Sequence, residues 1–246
     1  MKPGEMILIS CGDEWEYTCR ITSGSEEEVC AEITDAQKPG KELPSRITLF
    51  QCLPKGDKME TVIQKAVELG AAEIVPVASA RCVVKLDAKK AAARVKRWNA
   101  IAESAAKQAK RMIIPEVHEV MNFRDALQYA ADPVLGVQNP ERQDAAAAVQ
   151  DVSGERTGQA HHKEPVLLIP YENAEGMKGT RTLLESIEPG QPVAVLIGPE
   201  GGFEETEVKE AEQAGFTPVT LGKRILRTET AGMTVLSILM YLLETD

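Results

Sequence analysis

Eleven residues near the carboxyl end, LGKRILRTETA (221–231), place Lys223, Arg224, Arg227 and Glu229 on one short segment. Ile225 and Leu226, residues of the kind that cores take, stand between the cations. Guanidinium groups match phosphates and base edges. Arg227 and Glu229, two apart, can serve as an electrostatic stabiliser and a proton acceptor. A surface salt-bridge cluster around Glu229 is the plainer alternative. A second segment, LIGPEGGFEE (196–205), is a glycine-rich turn between an apolar run and a helix-like one. It is not a phosphate loop, because it lacks both G-x-G-x-x-G and G-K-[ST]. Pro199 removes an amide, and Glu200 would repel a pyrophosphate. Gly198, Gly201 and Gly202 still allow tight turns and close backbone approach. Such a loop suits a flat, uncharged ligand with hydrogen-bonding edges, such as an adenosine without phosphates. S-adenosylmethionine is of that kind, and its sulfonium tolerates a carboxylate. An ordinary turn with no ligand remains the alternative.

Other chemistries find less support. Cys11, Cys19, Cys30, Cys52 and Cys82 include no C-x-x-C pair and read as reduced, partly buried thiols. His161 and His162 sit in a polar stretch that reads as a solvated linker, so no metal site is expected. No serine–histidine or cysteine–histidine motif appears. The net charge of −10 argues against nucleic-acid binding by the whole surface. Residues 85–111 nonetheless carry nine Lys/Arg against two acids, net +7. That run is either a local nucleic-acid face or a solvated helix. Apolar runs fall short of a membrane span, and the amino end does not resemble a secretory signal, so a cytoplasmic location is expected.

Three segments share one layout: PVLLIPYENAEG, PVAVLIGPEGGF and TPVTLGKRILRTETAG each run from a buried-type strand through an irregular stretch into a helix. Ligands of open α/β sheets sit outside the carboxyl ends of strands, so the three loops are expected to converge on one pocket. Residues 1–45 read differently, as short strands divided by Gly, Pro, Ser and acidic turns, hence a small β-barrel or sheet. From Arg46 onward, strands alternate with helices, which predicts an α/β domain with a mostly parallel sheet. Asp57 with Glu60 three residues on has the spacing of a capping box, ahead of an apolar stripe ended by Gly70. Helices are also predicted in the basic run, around Phe123 to Tyr129, near Thr182 to Ile187, in EETEVKEAEQAG and from about Thr230. Residues 141–164 break the rhythm and read as a flexible insertion.

LPKGDKMETVIQKAVELGA (53–71), ARCVVKLD (80–87), LIGPEGGFEETEV (196–208) and LGKRILRTETA (221–231) together resemble the RsmE family. These are 16S ribosomal RNA uridine-N3 methyltransferases of the SPOUT superfamily, and the likeness runs from about Arg46 to the carboxyl end. The resemblance implies a SPOUT-type α/β domain over 46–246 with a trefoil knot, an exception to the no-knot rule. It implies a PUA-like β-barrel over 1–45 that helps hold RNA. It also implies a homodimer, S-adenosylmethionine in the knot, and 16S ribosomal RNA within an assembled small subunit as substrate. Carried over by position, Tyr171, Glu172, Gly198, Pro199, Glu200, Gly201, Gly202, Leu221, Gly222, Ile225 and Leu226 would line the cofactor. Arg227 and Glu229 would orient uracil and ease proton loss from N3. Lys55, Lys58, Lys65, Arg81, Lys85, Gln108, Arg111, Lys223 and Arg224 would face RNA. Lys65 with Glu68 also reads as a plain helix-surface pair.

Three departures stand out. Family members begin with a further few tens of residues, so an incomplete barrel is expected here. A family Gln-Ser-Gly-Arg stretch reads Gln108-Ala109-Lys110-Arg111. Residues 132–164 are longer than the family pattern. The competing functions are a noncatalytic RNA-binding or assembly module on the same fold, and a knotted methyltransferase acting on another RNA.

Overall fold

The computed structural model describes residues 2–10, 12, 15–25, 28–131, 163–174 and 176–245. The expected insertion at 141–164 lies outside them except for Lys163 and Glu164, as do Cys11, His161 and His162.

The amino-terminal strands β1 (Met6–Ser10), β2 (Glu16–Gly24) and β3 (Val29–Gln37) form an antiparallel three-stranded sheet in chain order. β2 buries Cys19 and Ile21, whereas β3 is exposed along its length. The second sheet contains β4 (Ile47–Cys52), β5 (Glu73–Ala78), β6 (Glu116–Val117), β7 (Met121–Asn122), β8 (Val166–Pro170), β9 (Val193–Ile197) and β10 (Thr217–Val219). Its order is β10-β8-β9-β4-β5-β6, with β7 also on β5, and every pairing is parallel. β4 lies inside the sheet and is buried at all six positions. A parallel strand covered on both faces requires such a near-continuous apolar run, which ITLFQC supplies apart from Thr48 and Gln51.

Helices α1 (Lys58–Glu68), α2 (Ala88–Gln108), α3 (Phe123–Ala131), α4 (Met177–Glu185), α5 (Glu205–Gln213) and α6 (Thr228–Leu243) complete the fold. α1 buries Met59, Val62, Ile63, Ala66 and Val67, the stripe its spacing predicts. Gly70 follows its end at φ +88, and a Cβ there would lie 2.5 Å from Leu43 Cδ1. The predicted capping box at Asp57 does not form: Asp57 makes no side-chain cap, and Glu60 pairs with Arg97 at 2.8 Å. The box occurs instead on α5, where Glu204 and Glu207 cap each other's amides. Glu207, buried, also accepts from the Ala80 amide at 2.8 Å, tying the turn after β5 to α5.

Arg111 is not a surface residue for RNA. Its side chain is 7% exposed, and its guanidinium binds the Glu42 carboxylate and the carbonyls of Val67 (3.1 Å) and Ala71 (2.5 Å). Glu42 in turn accepts from the amides of Met112 and Ile113. The pair joins the segment before β4, the end of α1 and the turn after α2.

Glu73 occupies the amino edge of the sheet, at the end away from the three loops. Its carboxylate binds Thr48 Oγ1 (2.6 Å), His118 Nε2 (2.9 Å), Tyr129 Oη (3.0 Å) and Arg46 (2.9 Å). Burial alone would raise its pKa, but the His118 bond, the Arg46 charge and the Thr48 hydroxyl reverse this and hold it at about 2. Burial and the Glu73 charge push the Tyr129 phenol upward. A depressed carboxylate contributes stability above its unfolded pKa, and that contribution is lost as pH falls toward the folded value. The stability gap between the native chain and Glu73→Gln is therefore expected to shrink as pH drops from about 4.5 to about 2. Urea midpoints across that window test this; a gap independent of pH contradicts it.

Candidate functional site

The carboxyl ends of β8, β9 and β10 bring the three loops together, as their shared layout predicts. One cavity of about 610 Å³ is lined by Pro170, Tyr171, Glu172 and Met177 on one side and by the run from Thr220 to Leu226 on the other. A second, of about 410 Å³, is lined by Gly198, Pro199, Glu200, Gly202, Phe203, Arg227, Thr228 and Lys58. Pro170, Glu172, Ile225, Leu226 and Ala231 border both. Volumes of this size fall in the range of small-molecule and cofactor sites.

The glycines allow the close approach. Gly202 has φ +66, and a Cβ there would stand 2.8 Å from Glu172 Oε1. A Cβ at Gly198 would meet the Phe203 ring at 3.0 Å. Gly201 faces out of the cavity, beneath Arg81, whose Nη1 donates to the Gly201 carbonyl at 3.1 Å. Gly202→Ala must adopt a left-handed backbone and displace Glu172, at a cost of about 1–2 kcal/mol. A melting temperature lower by roughly 2–6 °C is expected, with about tenfold weaker binding of the loop's ligand. Unchanged stability and affinity would contradict the tight approach.

Glu200 has a task the sequence does not announce. Its carboxylate accepts from the Lys55 amide (3.0 Å) and from Lys58 Nζ (3.0 Å), fastening the glycine loop to the start of α1. Lys58 also stands 3.3 Å from Glu229 Oε2, so one ammonium bridges two carboxylates. The bond from Glu200, aided by Glu229, raises the Lys58 pKa. Burial would raise the Glu200 pKa, but Lys58 and the backbone amides lower it instead. Lys58 thus belongs to the pocket wall. Glu229 Oε2 is buried with no hydrogen-bond partner among the described residues, and the Lys58 contact is electrostatic.

Arg227 stands at the N-cap of α6 on the rim of the second cavity, and among the described residues its guanidinium makes no ion pair. Lys223 and Arg224 are exposed and border the first cavity, likewise without ion pairs among the described residues. Ile225 projects beside them at 89% exposure. Lys65 pairs with Glu68 at 2.7 Å along α1, which is the helix-surface alternative. Lys85 and Gln108 are exposed outside the cavities, one before α2 and one at its end.

Two polar residues were missed by sequence reasoning. Gln51 Nε2, buried in β4, donates to Thr228 Oγ1 at 2.8 Å, and Thr228 donates to the Gly198 carbonyl at 2.6 Å. This chain fixes the first turn of α6 against the glycine loop. A glutamine inside a largely apolar, fully buried strand was the signal that could have found it. Among the described residues no group of His, Cys, Asp or Glu is placed to hold a metal ion, and no helix is long and apolar enough to cross a membrane.

A parallel α/β sheet with its cavity built from loops at the carboxyl edge of its strands is the architecture in which α/β proteins bind small ligands. The family model for the RNA methyltransferase domain matches residues 41–240. Ribosomal RNA small subunit methyltransferase E of Bacillus subtilis is 34% identical over 245 residues, covering 98% of this chain and 83% of the relative. The crystal structure of the Neisseria gonorrhoeae ribosomal RNA small subunit methyltransferase E bound to S-adenosyl methionine superposes with a TM-score of 0.72 at 32% identity, covering 98% of this chain and 85% of that one. A putative methyltransferase from Legionella pneumophila, in complex with the same cofactor, gives 0.71 at 29% identity, covering 98% and 84%. The chain belongs to the RNA methyltransferase family, within its RsmE branch.

Proposed function

We propose that the chain transfers a methyl group from S-adenosylmethionine to N3 of a uridine in 16S ribosomal RNA. The observation that carries this reading is the pair of adjoining cavities, walled by the backbone of three loops and edged by Arg227 and the Lys58–Glu229 contact. The residues fit the cofactor: Leu221 and Leu226 give apolar walls, and Gly198 and Gly202 let the loop backbone lie tight against Phe203 and Glu172 at the cavity edge. When bound, S-adenosylmethionine supplies an electrophilic methyl on a cationic sulfur.

The remaining work falls to this chain. N3 lies on the Watson–Crick edge, so the uridine must enter unpaired or flipped out. Its imide N–H must lose a proton for the nitrogen to attack, and the negative charge then spreads to the flanking carbonyl oxygens. Glu229 accepts the proton, with Lys58 balancing the carboxylate in its half-buried surroundings. Arg227, free of an ion pair among the described residues, offsets the charge on the carbonyls. Arg224 and Lys223 meet phosphates at the cavity mouth.

The same reading extends to a knotted SPOUT domain over 46–246, a PUA-like RNA-holding domain over 1–45, a homodimer and work in the cytoplasm on an assembled small subunit. Family membership supports each of these, and the β1–β3 sheet agrees with a β-rich first domain. Calorimetric titration with S-adenosylmethionine, beside ATP and NAD, tests the cofactor. Saturable binding of S-adenosylmethionine alone, one per chain, is the expected result. No heat from a folded protein at millimolar ligand would overturn the reading.

A further inference from the structure

The catalytic pocket does not account for the basic run in α2. Trp98, Ala102, Ala105 and Ala106 of this helix turn inward. Lys89, Lys90, Arg94, Lys96 and Arg97 crowd its first three turns. At about 100° per residue, Lys89 and Lys96 point within about 20° of one another, away from the buried stripe. Lys90 pairs with Asp87 and Arg97 with Glu60, but both cations stay mostly exposed. Among the described residues Lys85, Lys89 and Lys96 are exposed and make no ion pair, whereas Arg94 is half-buried toward the inward stripe.

This placement runs partly against the helix's own electrostatics. The amino end of a helix favours acids; Asp87 caps α2 by accepting from the Lys90 amide, but the first turn itself carries no acid and holds Lys89 and Lys90. Among the other described helices, α1, α3, α5 and α6 each have an acid there and α4 has none. In a chain of net charge −10, such a concentration calls for an anionic partner. The location says which one. The segment leading into α2 follows the carboxyl end of β5, and within it Arg81 rests on the Gly201 carbonyl. The cations therefore begin beside the glycine loop and lead away from it for about 12 Å along the helix. A polyanion whose target nucleotide sits in the pocket must continue past this rim.

We propose that the segment entering α2 and the helix's amino-terminal half, through Lys85, Lys89 and Lys96, form a phosphate-contacting track for RNA flanking the target nucleotide. The proposal rests on the RNA methyltransferase reading above. Its test is binding of unmodified 16S ribosomal RNA across salt from about 50 to 200 mM. The proteins compared are the native chain, Lys85→Gln/Lys89→Gln/Lys96→Gln, and Lys107→Gln at the far end of α2. Titration with S-adenosylmethionine reports on the pocket of each. The triple variant is expected to lose about 30-fold in RNA affinity at the lowest salt, with a log–log salt slope shallower by about two. Its cofactor affinity should match the native chain, and Lys107→Gln should bind RNA within about twofold of native. Native RNA affinity and slope in the triple variant would overturn the track and leave α2 to an acidic protein or to solvent. If the triple variant also loses the cofactor, Lys89→Gln and Lys96→Gln singly carry the test, each expected to cost about threefold. Equal binding by both singles again overturns it. A native chain that binds no RNA at any salt would bring down the methyltransferase reading and the track with it, an outcome distinct from failure of the variants alone.

Discussion

Replacing Glu229 by glutamine is expected to slow methyl transfer about 10³-fold while leaving S-adenosylmethionine affinity within about threefold of native. The variant keeps size and shape but cannot accept a proton. Glu229 sits in the first turn of α6, beside rather than among the residues that wall the two cavities. Its contact is the Lys58 ammonium at 3.3 Å, and its side chain is 20% exposed. Lys58 retains Glu200 as a partner at 3.0 Å in the variant, so the loop should stay fastened to α1. Single-turnover rates with saturating RNA separate the chemical step from binding. A variant that transfers methyl at the native rate would assign proton removal to another group or to solvent. A variant that fails to bind cofactor would make Glu229 a structural residue.

The second large effect concerns stability. Arg111→Ala is expected to cost about 3–5 kcal/mol, because it leaves the mostly buried Glu42 carboxylate without its counter-charge, with only the Met112 and Ile113 amides, and takes the side-chain donor from the Ala71 carbonyl. With roughly 2–4 °C per kcal/mol for a chain of this size, the melting temperature should fall by about 10 °C. The folded variant should still bind S-adenosylmethionine, since Arg111 bonds lie at Glu42, Val67 and Ala71, away from the three loops. The combined change Arg111→Met with Glu42→Gln removes both charges and should recover part of the loss. Thermal melts of the three proteins decide it. A native-like melt for Arg111→Ala, accompanied by weaker RNA binding, would return this residue to the RNA face.

Arg111 also shows where sequence reading stops. A cation beside a run of lysines reads as surface, and only the packed fold reveals that the turn after α2 closes over Glu42. The α/β rhythm from Arg46 was legible because apolar period and glycine stops agree along each element, as in α1 with its stripe and Gly70. The convergence of the three loops was legible for a topological reason: parallel strands put all their carboxyl ends at one edge. Glu200 was placed in the right loop, but its side-chain direction depends on Lys58, some 140 residues earlier, a contact no local pattern encodes. The capping box is absent at Asp57 because the backbone there already turns, at φ −95 and ψ 11, so the Asp57 carbonyl takes the Glu60 amide, and the Glu60 side chain goes to Arg97. Gln51 and Thr228 escaped notice because a hydrogen bond 177 residues apart has no spacing signature.

The most direct test of the central claim is nucleoside analysis by mass spectrometry. Small-subunit RNA would be digested after incubation with the protein and isotopically labelled S-adenosylmethionine. The account predicts one labelled product, 3-methyluridine, that disappears with Glu229→Gln. Label on a ribose oxygen or on another base, or RNA that emerges unlabelled from an active cofactor-binding preparation, would contradict it.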